Sequence, residues 1–457
     1  MIVMELNELS PVLMEKFINA GKLPNFKRLH DGSQAFVTEA DAPAPDLEPW
    51  IQWVSVHSGI PYDEHQIHHL GDGHRFDRKM IWDLLSDEGR SVWVCGSMNI
   101  NYQSPISGWV LPDPWVNRLG PSPNEVLDPY YKFVSANVQE HTSGNVELTT
   151  ADKLAFLRFM ATNGLRPTTI AAIVKQLASE RRADTGWKRA AILDRLQFDV
   201  FRNHFKRARP DFSTLFLNST AHYQHLYWRN MEPEHFTVKP DPGEQQVYQD
   251  AILFGYQEMD RLVGELLELA DDDTALILVT ALSQQPSLKY EDIGGKNLYR
   301  PNNFKRLLHE AGITEPADVT PVMAEEFNID FETAEAAVEA KAKLEALRVG
   351  DAPAMAAKLE GRGLRCQCLI WTPLDPHTLL SVDGEARSVP FFDIFYRLDL
   401  LKSGQHHPDG LLWIHTPERR HAVHNGRVQL TSITPTILQM FEATIPADLP
   451  GDPLAIQ

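Results

Sequence analysis

Short apolar runs recur along the chain, each closed by turn-forming residues: "MIVMEL" (1–6), "SVWVCGSM" (91–98), "STLFLN" (213–218), "TALILVTA" (274–281) and "GLLWIHT" (410–416). Between them lie helical patterns such as "PVLMEKFINAG", "KMIWDLLSDEG" and "QDAILFGYQEMDRLVGELLELA", the last with apolar residues at i, i+3, i+4 and i+7 spacing. Unbroken apolar strands suit burial on both faces. Strands alternating with amphipathic helices predict an α/β fold: a mostly parallel central sheet with helices on both faces and helical insertions. Reactive groups in such folds gather at the carboxyl ends of the strands. Asn7 and Asn218 sit just past two of these runs, where they also suit plain turn-making.

Two stretches interrupt the alternation, so the expected core is 1–114, 211–290 and 391–457. Residues 115–210 are rich in polar and basic helix ("KQLASERRADTGWKRA", "FRNHFKRARP") and read as a cap-like insertion. Residues 291–390 contain the Ala/Glu-rich run "FETAEAAVEAKAKLEALRVG" and read as a helical insertion, a second cap or an element for homo-oligomerisation.

Composition narrows the partners. The 457 residues carry 62 acidic against 43 basic side chains, a formal charge of -19. That balance disfavours nonspecific binding to nucleic acid or anionic lipid, while leaving room for a local basic site. Cys95, Cys366 and Cys368 are too few and too scattered for a disulfide framework. The opening "MIVMELNEL" lacks the marks of a signal peptide, and no apolar run is long enough to cross a bilayer, so the expected location is cytoplasmic.

Four segments resemble the alkaline phosphatase superfamily, in particular its type I phosphodiesterase and nucleotide pyrophosphatase branch. They are "IVMELNELSPVLMEKFINAGKLPNFKRL", "EPWIQWVSVHSGIPYDEHQI", "NSTAHYQHLYW", and "GQHHPDGLLWIHTPE" with the tail "TSITPTILQMFEATIPADLPGDPL". The resemblance implies two divalent cations held by Asp and His, and a Thr or Ser nucleophile. Carried over position by position, the first metal aspartate falls on Asn7, the nucleophile on Glu48 or Pro49, and the second aspartate on Asn218. Its partner histidine falls on His222. The Asp-His pair after "ALILVT" becomes Leu282 and Ser283, and the last histidine is His406, with His407 as the alternative.

These replacements leave donors for at most one cation, zinc or manganese, on His222, His406 and Asn218, or for none. Glu48, before Pro49 at a helix start, serves equally as a helix cap, a ligand or a base. Glu48 and Ser283 are the candidate catalytic groups. Asn7, Gln284 and His65 are candidate contacts to a phosphorylated or glycosylated small molecule, for which neutral Ser283, Gln284 and Gln285 are suited. His222 and His225 also read as packed aromatics of a helix, and His68, His69 and His74 as exposed loop residues. Two functions follow as expectations: a divergent phosphoester or phosphodiester hydrolase or transferase, or a degenerate relative that binds such a ligand without cleaving it.

Overall fold

Eight strands form the central sheet of the computed structural model: β1 (Ile2–Leu6), β2 (Gln34–Glu39), β3 (Val92–Cys95), β4 (Gly108–Leu111), β5 (Phe212–Leu217), β6 (Leu276–Val279), Asp409–His415 and Ala422–Gln429. The structure describes residues 1–456 apart from 104, 116–118, 144–147, 315–317, 322–324, 383–387 and 399–401. Across the sheet the order is Ala422–Gln429, β2, Asp409–His415, β6, β1, β5, β3, β4. Only Asp409–His415 runs against its neighbours; the other seven strands point one way.

Every residue of β1 is buried, as a central strand covered on both faces requires. Its side chains alternate: Ile2, Met4 and Leu6 enter one core, and Val3 enters the other. The first core is closed by α1 (Pro11–Asn19), α2 (Pro24–His30) and helix Ala251–Leu269. The second is closed by α3 (Pro49–Ser58), all ten of whose residues are buried. Pro49 opens α3, and Gly59, in left-handed backbone at φ 74°, ends it.

Register sets the site. Leu6 lies opposite Leu217, and Glu5 lies opposite both Phe216 and Val279. Asn7 and Glu8, Asn218, and the segment after Val279 therefore leave the same carboxyl edge side by side. That last segment runs into a two-stranded ribbon, β7 (Ser283–Pro286) with Gly404–His407, which pairs Gln284 with His406.

Both interruptions differ from their expected form. Residues 115–210 supply helices Asn124–Ser143, Thr150–Thr162, Pro167–Glu180 and Arg189–Ala208. Rather than forming a separate cap, their Tyr130, Phe156, Phe159, Phe198 and Phe201 join the core under the first sheet face. The Ala/Glu run is helical over Ala334–Glu345 and Phe304–Glu310 is a second helix, but 291–390 also holds two four-stranded antiparallel sheets. One sheet orders Met355–Glu360, Gly363–Cys368, Glu326–Asp330 and Asp318–Pro321, and a second joins Ala352–Pro353, Leu347–Val349, Leu379–Val382 and Ser388–Pro390. This unit has its own core, including Phe327, Ile329, Leu344 and Leu364. "EFNID" and "GLRCQC" show period-two burial, which short strands with one wet face produce.

Candidate active site

The chain turns immediately after β1, with Glu8 in left-handed backbone at φ 61°, rare for a residue with a side chain. A buried relay holds the turn. The Ser10 N–H donates to the Tyr256 hydroxyl at 2.8 Å, that hydroxyl donates to Gln224 Oε1 at 2.9 Å, and Gln224 Nε2 donates to the Glu8 carbonyl at 2.7 Å. The Glu8 side chain is thereby aimed past the sheet edge.

Two histidines meet it there. Glu8 Oε2 lies 3.1 Å from His225 Nε2 and 3.5 Å from His406 Nε2, and it also accepts a hydrogen bond from Gln284 Nε2. The ligand atoms of Glu8, His225 and His406 all lie within 4.8 Å of one another, the one such group of three among the described residues. Glu48, at the start of α3, reaches the far side of His406, its Oε2 3.4 Å from Nδ1. Its other oxygen has no hydrogen-bond partner among the described residues.

The titration pattern follows from burial and from these neighbours. Burial alone would raise the Glu8 carboxyl, but the two imidazoles outweigh it and hold its pKa well below the usual range. Burial brings His225 down to about 4, with Lys402 adding to the effect and Glu8 opposing it. His406 goes the other way: burial pulls it down, yet Glu8 and Glu48 together raise it. The Glu48 carboxyl is pushed up, chiefly by burial, against the pull of His406 and Lys402.

The donor set fits one divalent cation. The Gly404 carbonyl lies 3.3 Å from His225 Nδ1. A proton on Nδ1 given to that carbonyl leaves the lone pair of a neutral His225 facing the Glu8 carboxylate, an arrangement that calls for a positive charge between them. Ligands at about 2.1 Å from a tetrahedral ion stand about 3.4 Å apart, which matches the 3.1 and 3.5 Å separations here. His406 Nε2 is buried with the Glu8 carboxylate, 3.5 Å away, as its polar neighbour, too far for a good hydrogen bond and at the spacing a shared cation would fill.

The remaining candidates are placed as follows. Asn7 spends its amide on the protein: Nδ2 donates to Glu8 Oε1 at 3.0 Å and to Asn218 Oδ1 at 2.8 Å, while Oδ1 accepts from Trp53 Nε1 at 2.9 Å. Asn218 begins helix Ser219–Met231, and Asp194 accepts its N–H and that of Ser219. The two asparagines at the aspartate positions thus bond to each other. Gln284 reaches both Glu8 and the Ala221 carbonyl.

Ser283, although buried, pairs with His407, one position out of phase with Gln284 and His406, so strand alternation turns it to the other face. His222 stands exposed, its ring edge-on to Tyr223. His225, one turn later on the same helix, takes the inward position that the resemblance gave to His222. His65 is buried at the end of a short helix, where Nδ1 accepts the Ile67 N–H, and burial brings its pKa down to about 4; it is not among the residues that meet at Glu8.

Sequence reasoning left two of the three clustered residues unassigned. For Glu8 the available signal was a second acid directly beside a ligand position. For His225 it was the second histidine of an i, i+3 pair on a helix able to present only one of them inward.

The antiparallel unit also approaches this end. His69 Nε2 lies 2.5 Å from Glu360 Oε2, and Arg365, paired with Glu326, comes within 3.5 Å of His69 Nδ1. A cavity of about 540 Å³ lies instead at the amino edge of the sheet, beside Leu276 and His415, and none of Glu8, His225 or His406 lines it.

The sequence profile of the type I phosphodiesterase/nucleotide pyrophosphatase family matches residues 1–365, and the chain belongs to that family. Solved structures similar to the whole chain include three proteins. Phosphonoacetate hydrolase from Sinorhizobium meliloti 1021, in complex with phosphonoformate, shows 12% identity and a TM-score of 0.43, covering 95% of this chain and 93% of that one. Human ectonucleotide pyrophosphatase/phosphodiesterase 5 shows 10% identity and 0.43, covering 99% and 96%. The alkaline phosphatase PafA shows 12% and 0.48, covering 99% and 97%. No curated protein matches the sequence. Among the described residues no helix is long and apolar enough to cross a membrane.

Proposed function

We propose that the chain is a divergent phosphoester or phosphodiester hydrolase or transferase that works with a single divalent cation, zinc or manganese, bound by Glu8, His225 and His406. The observation that carries this reading is the convergence of one carboxylate and two imidazole nitrogens within 4.8 Å of one another, both separations from Glu8 being close to a tetrahedral edge. A cation bound there supplies Lewis-acid polarisation of a phosphoryl oxygen. Glu48 orients His406 through Nδ1 and keeps its other oxygen for proton exchange with water or a leaving oxygen. Burial raises its pKa, which moves the carboxyl in the direction that acid–base work at ambient pH requires. Gln284 and Asn7 fix the Glu8 carboxylate from its flanks.

The test is metal analysis of purified protein combined with turnover of aryl phosphate monoesters, diesters and sulfates, for the native chain and for Glu48→Gln. One equivalent of metal, and at least a hundredfold loss of turnover with the metal retained in Glu48→Gln, are the expected results; about that size follows from removing an acid–base group. Unchanged turnover in Glu48→Gln leaves Glu48 as a helix start only. Absence of both metal and turnover rejects the proposal.

A second reading, binding of a phosphorylated or glycosylated ligand without cleavage, draws on Leu282, fully buried where the family pattern has an aspartate, and on Pro49, which has no nucleophile. Tight ligand binding with no product under any added divalent metal supports it.

A further inference from the structure

Helices Thr150–Thr162 and Pro167–Glu180 form an outer layer over the helices that cover the first sheet face. Phe156 stacks on Phe133 with ring centroids 3.7 Å apart, and Phe159 lies 5.8 Å from Tyr130. These contacts fix which side of helix 150–162 faces inward. The turn between the helices is pinned by Arg166, whose guanidinium pairs with Asp199 and Glu265. The outward side is then set by helical geometry, and it is apolar: Leu154, Leu157, Ile170, Val174 and Leu177 are 46–61% exposed. Leu154 and Leu157 are three apart, and Ile170, Val174 and Leu177 follow i, i+4, i+7 spacing, so each helix presents a stripe.

Cations frame the stripes. Lys153, Arg158, Lys175, Arg181 and Arg182 are exposed and form no ion pair among the described residues. Of the acidic neighbours, Asp152 is engaged by Lys132 at 2.7 Å and Glu180 by Arg189 at 2.6 Å, and Asp184 accepts the Tyr248 hydroxyl at 2.9 Å. In a chain of net charge -19 this surface is a local reversal of sign.

We infer that this helical pair is a docking surface for an anionic lipid bilayer, with the aliphatic stripes entering the headgroup region and the five cations pairing with lipid phosphates. The charge argument selects the bilayer over a second copy of the chain. A two-fold interface places the same patch against itself, which brings these unpaired cations face to face. An anionic lipid surface neutralises them, and exposed aliphatic side chains framed by Lys and Arg are the pattern of helices that lie in a membrane interface.

The experiment is flotation of the full chain with vesicles of equal parts phosphatidylcholine and phosphatidylglycerol, beside vesicles of phosphatidylcholine alone. The first should carry the protein and the second should not, and added salt should weaken the binding. Each surface cation contributes about fivefold, so Lys175→Glu with Arg181→Glu should lower partitioning at least about tenfold. Leu157→Ser with Val174→Ser should lower it as well, while helix content by circular dichroism and metal content stay as in the native chain. Absence of binding to the anionic vesicles, or binding that either variant leaves unchanged, overturns the inference. Sedimentation equilibrium showing a dimer that Leu157→Ser with Val174→Ser dissolves also overturns it, and assigns the patch to a second copy.

Discussion

Tyr256 tests the account of how Glu8 is aimed. Its hydroxyl is buried, accepts the Ser10 N–H at 2.8 Å and donates to Gln224 Oε1 at 2.9 Å. Burial pushes its pKa far above the usual phenol range, so the donor proton is present at any working pH. Tyr256→Phe deletes one oxygen and keeps the ring, including its edge-on contact with Phe17 at 5.1 Å. The loss is therefore almost purely that of two hydrogen bonds. It leaves a buried backbone N–H and a buried amide oxygen without partners, at about 1–3 kcal/mol each, and a total near 2–4 kcal/mol is expected. A second effect follows from connectivity. Gln224 loses the group that orients it, so its bond to the Glu8 carbonyl loosens and the carboxylate is held less firmly. Changes behind a ligand of this kind lower metal affinity by about tenfold to a hundredfold. Urea unfolding measures the first effect and calorimetric titration with zinc or manganese the second. A stability loss below about 0.5 kcal/mol refutes the relay as a structural element; unchanged metal affinity refutes its role in positioning Glu8.

The remaining predictions concern the ligand set, a buried acid and one glycine. His225→Ala should lower metal affinity by at least about a hundredfold, whereas exposed His222→Ala should leave it unchanged; the opposite ranking in titrations rejects the cluster. Burial raises Asp194 from 3.8 to about 6, so its contribution to stability is full below the unfolded value and is lost as pH rises through about 6. Relative to Asp194→Asn, the native chain should gain about 1 kcal/mol between pH 7 and pH 5, and parallel pH profiles from urea unfolding would contradict this. A Cβ on Gly404 would lie 2.4 Å from the Gln224 carbonyl oxygen and 2.4 Å from Gln284 Oε1. Gly404→Ala should therefore displace the strand carrying His406, destabilise by about 1–3 kcal/mol and weaken metal binding, both checked by the same unfolding and titration measurements.

Five strands of the central sheet were legible as unbroken apolar runs, β1, β3, β5, β6 and Asp409–His415, whereas β2, β4 and the largely exposed Ala422–Gln429 were not. The strands of 318–390 were not, because each is short and wet on one side, so "EFNID" and "GLRCQC" alternate over only two or three apolar positions, too few to mark a strand. The basic helices of 124–208 were visible as helices, but whether they cap the sheet end or cover its face depends on which aromatic residues turn inward. Phe156 and Phe198 answer that only in three dimensions. At the site, the region was legible and the ligands only partly so. Asn7, Gln284 and His406 reach the Glu8 carboxylate, Asn218 bonds to Asn7, and Glu48 lies against His406. Position-by-position transfer pointed to His222 because it assumes the family's geometry persists, whereas a donor shifted by one residue in the turn after β1 and by one helical turn on Ser219–Met231 gives a different set of inward groups.

The replacements form one consistent set rather than a series of separate losses. Two cations close together need several carboxylates to offset their charge; the cluster here holds one, Glu8, with Glu48 behind His406. With both aspartate positions occupied by asparagine, an amide of one residue donates to an amide oxygen of the other at 2.8 Å and to Glu8 Oε1 at 3.0 Å. A single reversal, Asn7→Asp, removes both donated bonds and puts a second carboxylate in the space where Asn7 Nδ2 now meets Glu8 Oε1. Like charges at that separation in a buried setting repel strongly. The Asn pair and the lone acid therefore depend on each other. The Asn7–Asn218 bond keeps a second carboxylate away from Glu8 Oε1, and on the proposed reading the charge left at Glu8 suits one divalent cation rather than two.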